Sequence, residues 1–183
     1  MQDVWEIFSE ELYLTSKYYG LLIHSFVLMN NHFHLIASTP QSNISECMRY
    51  FMKNSSDRLT HAGNRINQTY GGRHFKTILQ CSNYYLNAYK YNYLNPVIAG
   101  ITKRAEEYPF STLRGLLGFH HLLIPMAPDN ILFANVEETL KWLNDLPSNE
   151  KLKAASYGFK GQYFRKTHCR KTREYLLHEF NTL

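Results

Sequence analysis

Apolar residues recur at spacings of three, four and seven from residue 3 to residue 20, where Trp5, Phe8, Leu12 and Tyr19 share one face of a predicted helix that Gly20 closes. The pattern then shortens. Leu21 to Pro40, LLIHSFVLMNNHFHLIASTP, holds two apolar runs broken at Met29-Asn30-Asn31. This predicts a hairpin with Asn30 and Asn31 in a tight turn, because asparagine tolerates positive φ. If the second run is a strand, His32 and His34 project from one face while Phe33 and Leu35 project from the other. After Pro40 and Ser42-Asn43, a second long helix follows, with Ile44, Cys47, Met48, Phe51, Met52, Ser55 and Leu59 aligned to about His61. That stripe reads as core. Arg49, Lys53 and Arg58 lie off it, where they meet solvent or phosphate.

Ala62 to Gly72 breaks every repeat with Gly63, Asn64, Asn67, Gly71 and Gly72 and reads as a mobile loop. Arg73 to Cys81 alternates Phe75, Thr77 and Leu79 against His74, Lys76 and Ile78, predicting a third strand. Arg73, His74 and Lys76 at its entry suit a phosphate backbone or a solvated strand end equally well. Asn83 to Leu94 is helical, capped by Ser82 or Asn83 and ended at Asn95-Pro96. On it Tyr91 and Asn95 are neighbours, whereas Tyr84, Tyr85, Tyr89 and Tyr93 read mostly as core or rim. Beyond Gly100, residues 106–112 form a loop feeding a short helix through Leu113, Leu116 and Leu117, and His120 to Pro128 reads as a linker. Val136 to Leu146, Ser148 to Ala155 and Thr167 to Phe180 are predicted helices.

Composition adds a partner class. The 183 residues fit one domain with appendages, and 44% hydrophobic content supplies a core. A formal charge of +5 and a pI near 9.0 favour an anionic partner. Between Lys151 and Tyr175, eight Lys or Arg face one acid, Glu174, with Tyr157, Phe159, Tyr163 and Phe164 interleaved. Such a segment neutralises phosphates and stacks on unpaired bases, although a charge run is more often a solvated helix face. Three widely spaced cysteines without a Cys-X-X-Cys pair read as free thiols in a reducing cytoplasm, and neither a membrane span nor a signal-peptide pattern is present.

The chemistry starts at His32 and His34. Two neutral imidazoles on one strand face can meet one divalent ion and leave positions open for substrate, or can be no more than a polar face.

Three segments, Phe26 to Leu35 (FVLMNNHFHL), Lys90 to Gly100 (KYNYLNPVIAG) and Tyr108 to Thr112 (YPFST), resemble in order and spacing the single-tyrosine HUH transposases of the IS200-like superfamily. Within it they look most like the REP-associated tyrosine transposases, over about residues 5 to 118. The resemblance implies an α+β, ferredoxin-like HUH fold, a central antiparallel sheet backed by helices. It implies a catalytic domain over residues 1–118 and a helical, basic extension over 119–183. By position His32, His34 and Asn95 match the family's metal ligands, for Mg²⁺ or Mn²⁺, and Tyr91 matches its nucleophile. The implied activity is cleavage and transfer of single-stranded or hairpin DNA through a 5′-phosphotyrosine, in a bacterial cytoplasm or nucleoid. Arg73, His74, Lys76, Lys90, Lys160, Arg165, Lys166, Arg170, Lys171 and Arg173 are the DNA-contact candidates. A catalytically silent hairpin-binding module of the same fold is the competing expectation. A water-activating hydrolase fits less well, since no acidic cluster flanks the histidines. Two positions depart from the family. Asn30 stands where proline is usual, and the family's strand before the first helix is missing. That leaves a sheet edge open, filled by a partner chain as in a homodimer, or marks a shortened copy.

Overall fold

The computed structural model describes residues 1–63, 74–129, 133–168, 172, 175–177 and 183. The chain divides into two compact units, each assembled from two stretches: Met1–His74 with Tyr108–Ala134, and Phe75–Glu107 with Asn135–Leu183. The described residues carry six α-helices and two small antiparallel sheets, a mixed architecture consistent with an α+β fold.

In the first unit, α1 (Gln2–Tyr19) ends where Gly20 takes a left-handed conformation, φ 67°, its N–H donating to Ser16 O at 2.9 Å. β1 (Leu22–Leu28) and β2 (Phe33–Ser38) form the expected antiparallel hairpin, with a register irregularity at His24. Its turn differs from the expectation. Met29 N–H donates to His32 O at 2.8 Å, and the only described non-glycine residue with positive φ is Ser42. Asn30 and Asn31 therefore turn the chain without the left-handed conformation. α2 (Ile44–Ala62) buries Cys47, Met48, Phe51 and Ser55 along the predicted stripe. Trp5, Phe8 and Leu12 of α1, Ile23, Phe26 and Leu28 of β1, and Phe51 of α2 share one core. Phe8 lies 5.4–6.2 Å, ring to ring, from Phe26, Phe33 and Phe51. Arg58 is not presented to phosphate. Its guanidinium pairs with Glu10 and Glu11, fastening α2 to α1.

The edge of β1 away from β2 is covered. Leu28 N–H donates to Phe110 O, Ala127 N–H to Ile23 O, and Tyr108 Oη to Leu28 O at 2.7 Å. Thr112 Oγ1 accepts from Phe26 N at 3.0 Å and donates to Phe26 O at 3.2 Å. These groups flank α4 (Thr112–Leu116), whose N-cap Ser111 accepts from Leu113 N. Residues 120–128 are thus no linker. Ile124 is buried in the core, and Met126 bridges Ile23 in parallel.

In the second unit the predicted strand over 73–81 is absent among the described residues. Ile78 makes a single bridge to Tyr163, while Thr77 Oγ1 donates to the carbonyls of Phe159 and Gly161, so no ladder extends. α3 (Ser82–Ile98) runs through Asn95-Pro96 instead of ending there. The ring removes only the bond to a carbonyl one turn back, and near a helix end that loss is tolerated. A 3₁₀ turn (Ala105–Glu107), α5 (Val136–Asn144) and α6 (Asn149–Gly158) follow. The tail expected to be helical holds strands β3 (Thr167–His168) and β4 (Tyr175–Leu177), paired antiparallel. Tyr84, Ala154, Ala155, Phe164 and Leu177 form one core cluster of this unit. No helix among the described residues is long and apolar enough to cross a membrane.

Candidate metal and DNA-processing site

The hairpin positions the histidines through its pleat. Phe33 points into the core against Phe8, Phe26 and Phe51, so the neighbouring His32 and His34 are thrown to the opposite side. Their Nε2 atoms approach to 3.0 Å, with the rings edge to face at 4.8 Å. Two nitrogens about 2.1 Å from one ion and at right angles to each other stand about 3.0 Å apart, so this separation is that of adjacent ligands on a single cation. Asn31 Oδ1 lies 2.6 Å from His32 Nδ1. A carbonyl oxygen only accepts, so the His32 proton sits on Nδ1 and the Nε2 lone pair faces His34.

Both rings are neutral at ordinary pH. Burial, reinforced by the neighbouring His32, holds His34 down to about 4, and burial lowers His32 as well. Neutral imidazole is the form that binds metal. Among the described residues no group of three or more His, Cys, Asp or Glu side chains is placed to hold an ion. Two imidazoles alone are fewer ligands than a closed structural zinc site uses and leave coordination positions open.

Tyr91 and Asn95 stand one turn apart on α3 in the second unit, as their spacing predicts. Asn95 Nδ2 donates to Tyr91 O at 2.9 Å, and the half-buried Tyr91 ring packs on Phe159 with centroids 5.2 Å apart. Tyr89 and Tyr93 are core, as expected.

The DNA-contact candidates divide. Lys76, Lys160, Arg165 and Lys166 are exposed and His74 is half-buried, while Arg73, Arg170, Lys171 and Arg173 lie outside the described residues. Lys90 is corrected. It is 1% exposed, with its ammonium 5.4 Å from the Trp142 ring centroid and donating to Leu183 O at 3.3 Å. On a helix packed on several sides a lysine can face inward, where its stem is buried and its charge reaches an aromatic face. Asn31 was missed as a site residue because its turn propensity fully accounted for its presence. The available signal was its position immediately before His32.

A family model described as Transposase IS200 like matches residues 2–86, a span that includes α1, the hairpin, α2 and the start of α3. The match covers less than half of the chain and links this part of it to the IS200-like transposases. It ends before Tyr91 and Asn95. No match was found among curated proteins or among solved structures.

Proposed function

We propose that the protein is a metal-dependent single-stranded DNA endonuclease and strand transferase, a REP-associated type of tyrosine transposase or a domesticated relative, working through a 5′-phosphotyrosine. The observation that carries this reading is the convergence of His32 and His34 Nε2 at 3.0 Å, with Asn31 fixing the His32 tautomer, inside the segment that matches the IS200-like family.

Mg²⁺ or Mn²⁺ bound by His32, His34 and Asn95 would polarise the scissile phosphate and draw off its charge. The chain supplies the rest. Tyr91 Oη attacks phosphorus, forming a tyrosine–phosphate bond as the bond to the 3′ oxygen breaks. The phenolic proton leaves and the departing 3′ oxygen takes one up, so the products are a 5′-phosphotyrosine and a 3′-hydroxyl. A tyrosine with a pKa near 10 is a weak nucleophile at neutral pH, which is why the phosphate has to be activated. A second 3′-hydroxyl reverses the step and joins strands without an external energy source. The phosphate has to lie across the ligand pair, which favours single-stranded or hairpin-flanking DNA over regular duplex.

Incubation with single-stranded or hairpin oligonucleotides and Mn²⁺ is expected to give a covalent adduct on denaturing gels, lost in Tyr91→Phe and in His34→Ala. An adduct that persists in Tyr91→Phe removes Tyr91 from the reaction. Cleaved DNA without attached protein assigns attack to water, and salt-sensitive binding without cleavage under any divalent metal assigns the chain to a silent binding module.

A further inference from the structure

The second unit contains a short parallel contact that the sequence pattern did not predict. Ile78 N–H donates to Gln162 O at 2.8 Å, Phe164 N–H donates to Ile78 O at 3.0 Å, and Ile78 pairs with Tyr163. The inner side of this contact is occupied. Phe164 packs on Tyr84, with centroids 4.6 Å apart, and Thr77 Oγ1 is turned to the carbonyls of Phe159 and Gly161 at 2.6 and 2.7 Å. Alternation about the bridge therefore sets Ile78 and Tyr163 side by side on the outer face. Tyr163 is 50% exposed and Ile78 44%.

Cations frame the pair. Arg165 follows Tyr163 by two residues and folds back across Gly161, where an added Cβ would come within 2.5 Å of Arg165 Nε. Lys76 precedes Ile78 by two residues. Residues 74–80 and 157–168 contain Lys76, Lys160, Arg165 and Lys166 and no Asp or Glu. An exposed aromatic ring beside an aliphatic side chain, with positive charge at both ends and no acid in either segment, has the chemistry of a base-stacking platform with phosphate contacts.

We infer that this face binds single-stranded DNA, with a base stacked on Tyr163 against Ile78 and neighbouring phosphates at Arg165 and Lys76. The inference deepens the strand-transfer reading by naming where its substrate is held. A regular duplex keeps its base faces stacked and cannot use Tyr163. An anionic membrane would use the charges and apolar groups but has no need of a flat ring.

The test is fluorescence anisotropy with the full chain, no divalent metal, and a labelled oligothymidylate of about 20 nucleotides, the site size of one or two such platforms. Tyr163→Leu keeps an apolar side chain and is expected to weaken binding by about 5- to 100-fold, while Tyr163→Phe keeps the π face and binds within about twofold of the parent. Arg165→Gln is expected to flatten the dependence of log affinity on log salt by about 0.7. Circular dichroism confirms that the variants fold. Equal affinity in Tyr163→Leu overturns the inference, as does a blunt duplex, or a phosphatidylglycerol vesicle at matched charge, bound as tightly as the oligonucleotide. The assay requires no cleavage, so the two readings fail separately. Tyr163-dependent binding without any adduct keeps this surface and removes strand transfer, whereas an adduct with Tyr163-independent binding does the reverse.

Discussion

Asn31 Oδ1 accepts from His32 Nδ1 and so fixes which nitrogen of His32 carries the proton. Its Oδ1, 2.6 Å from His32 Nδ1, puts the His32 lone pair on Nε2, 3.0 Å from His34 Nε2. Removing such an orienting partner usually costs 10- to 100-fold in metal affinity. Asn31→Ala is therefore expected to weaken Mn²⁺ binding, measured by titration calorimetry, by about 10- to 100-fold, whereas His34→Ala abolishes it. The placement of His32 and His34 on one face was legible from the period-two alternation alone, but their tautomers were not, since a hydrogen bond to the preceding side chain leaves no periodic trace. Lys90 misled for a related reason: a cation on a tyrosine-rich helix reads as surface, and only the packing of α3 reveals that it is interior. Burial lowers its pKa, with the nearby Lys151 adding to the effect and Asp145 opposing it. The folded chain thus releases this proton more readily than the unfolded chain, where lysine titrates near 10.4. The sign follows: Lys90 favours the folded state above the unfolded pKa, and that stability is lost as pH falls through the folded value. Lys90→Met is expected to reduce the rise of Tm with alkaline pH relative to the parent, read as the difference between two melting series.

The hairpin and its flanking helices form the part of the fold that local pattern specified. α1, β1, β2 and α2 appear where the apolar repeats place them, because each buries a stripe set by its own period. What covers β1 comes from far along the chain. Thr112 lies 86 residues from Phe26 and satisfies both its N–H and its carbonyl with one hydroxyl, a function no short window could suggest. Thr112→Val preserves the shape and leaves the buried Phe26 N–H without an acceptor. It is expected to destabilise the protein by about 1–3 kcal/mol in urea denaturation; a change near zero would show that this edge does not depend on the hydroxyl. The segment around Pro125 and Pro128 reads as a linker in sequence for the same reason. Two prolines rule out a helix but do not prevent a chain from lying along a strand and burying Ile124.

At the scale of the molecule the units interleave, each drawing on an early and a late stretch of sequence. Charge and aromatic content point to an anionic partner, and of the three short segments that resemble one transposase superfamily the family match over residues 2–86 includes Phe26 to Leu35. The tail was harder to read. Its basic residues gave it the look of a solvated helix, yet β3 and β4 pair and Leu177 is buried in the core beside Phe164. The histidine pair falls in the first unit and Tyr91 with Asn95 in the second. The most direct test is to identify the residue that carries DNA after reaction with a single-stranded oligonucleotide and Mn²⁺, by nuclease digestion and tandem mass spectrometry of the tryptic peptides. A 5′-linked nucleotide is expected on Tyr91 alone among the 14 tyrosines, and on none of them when His34 is alanine. A nucleotide on any other tyrosine, or cleaved DNA with every tyrosine unmodified, would contradict it.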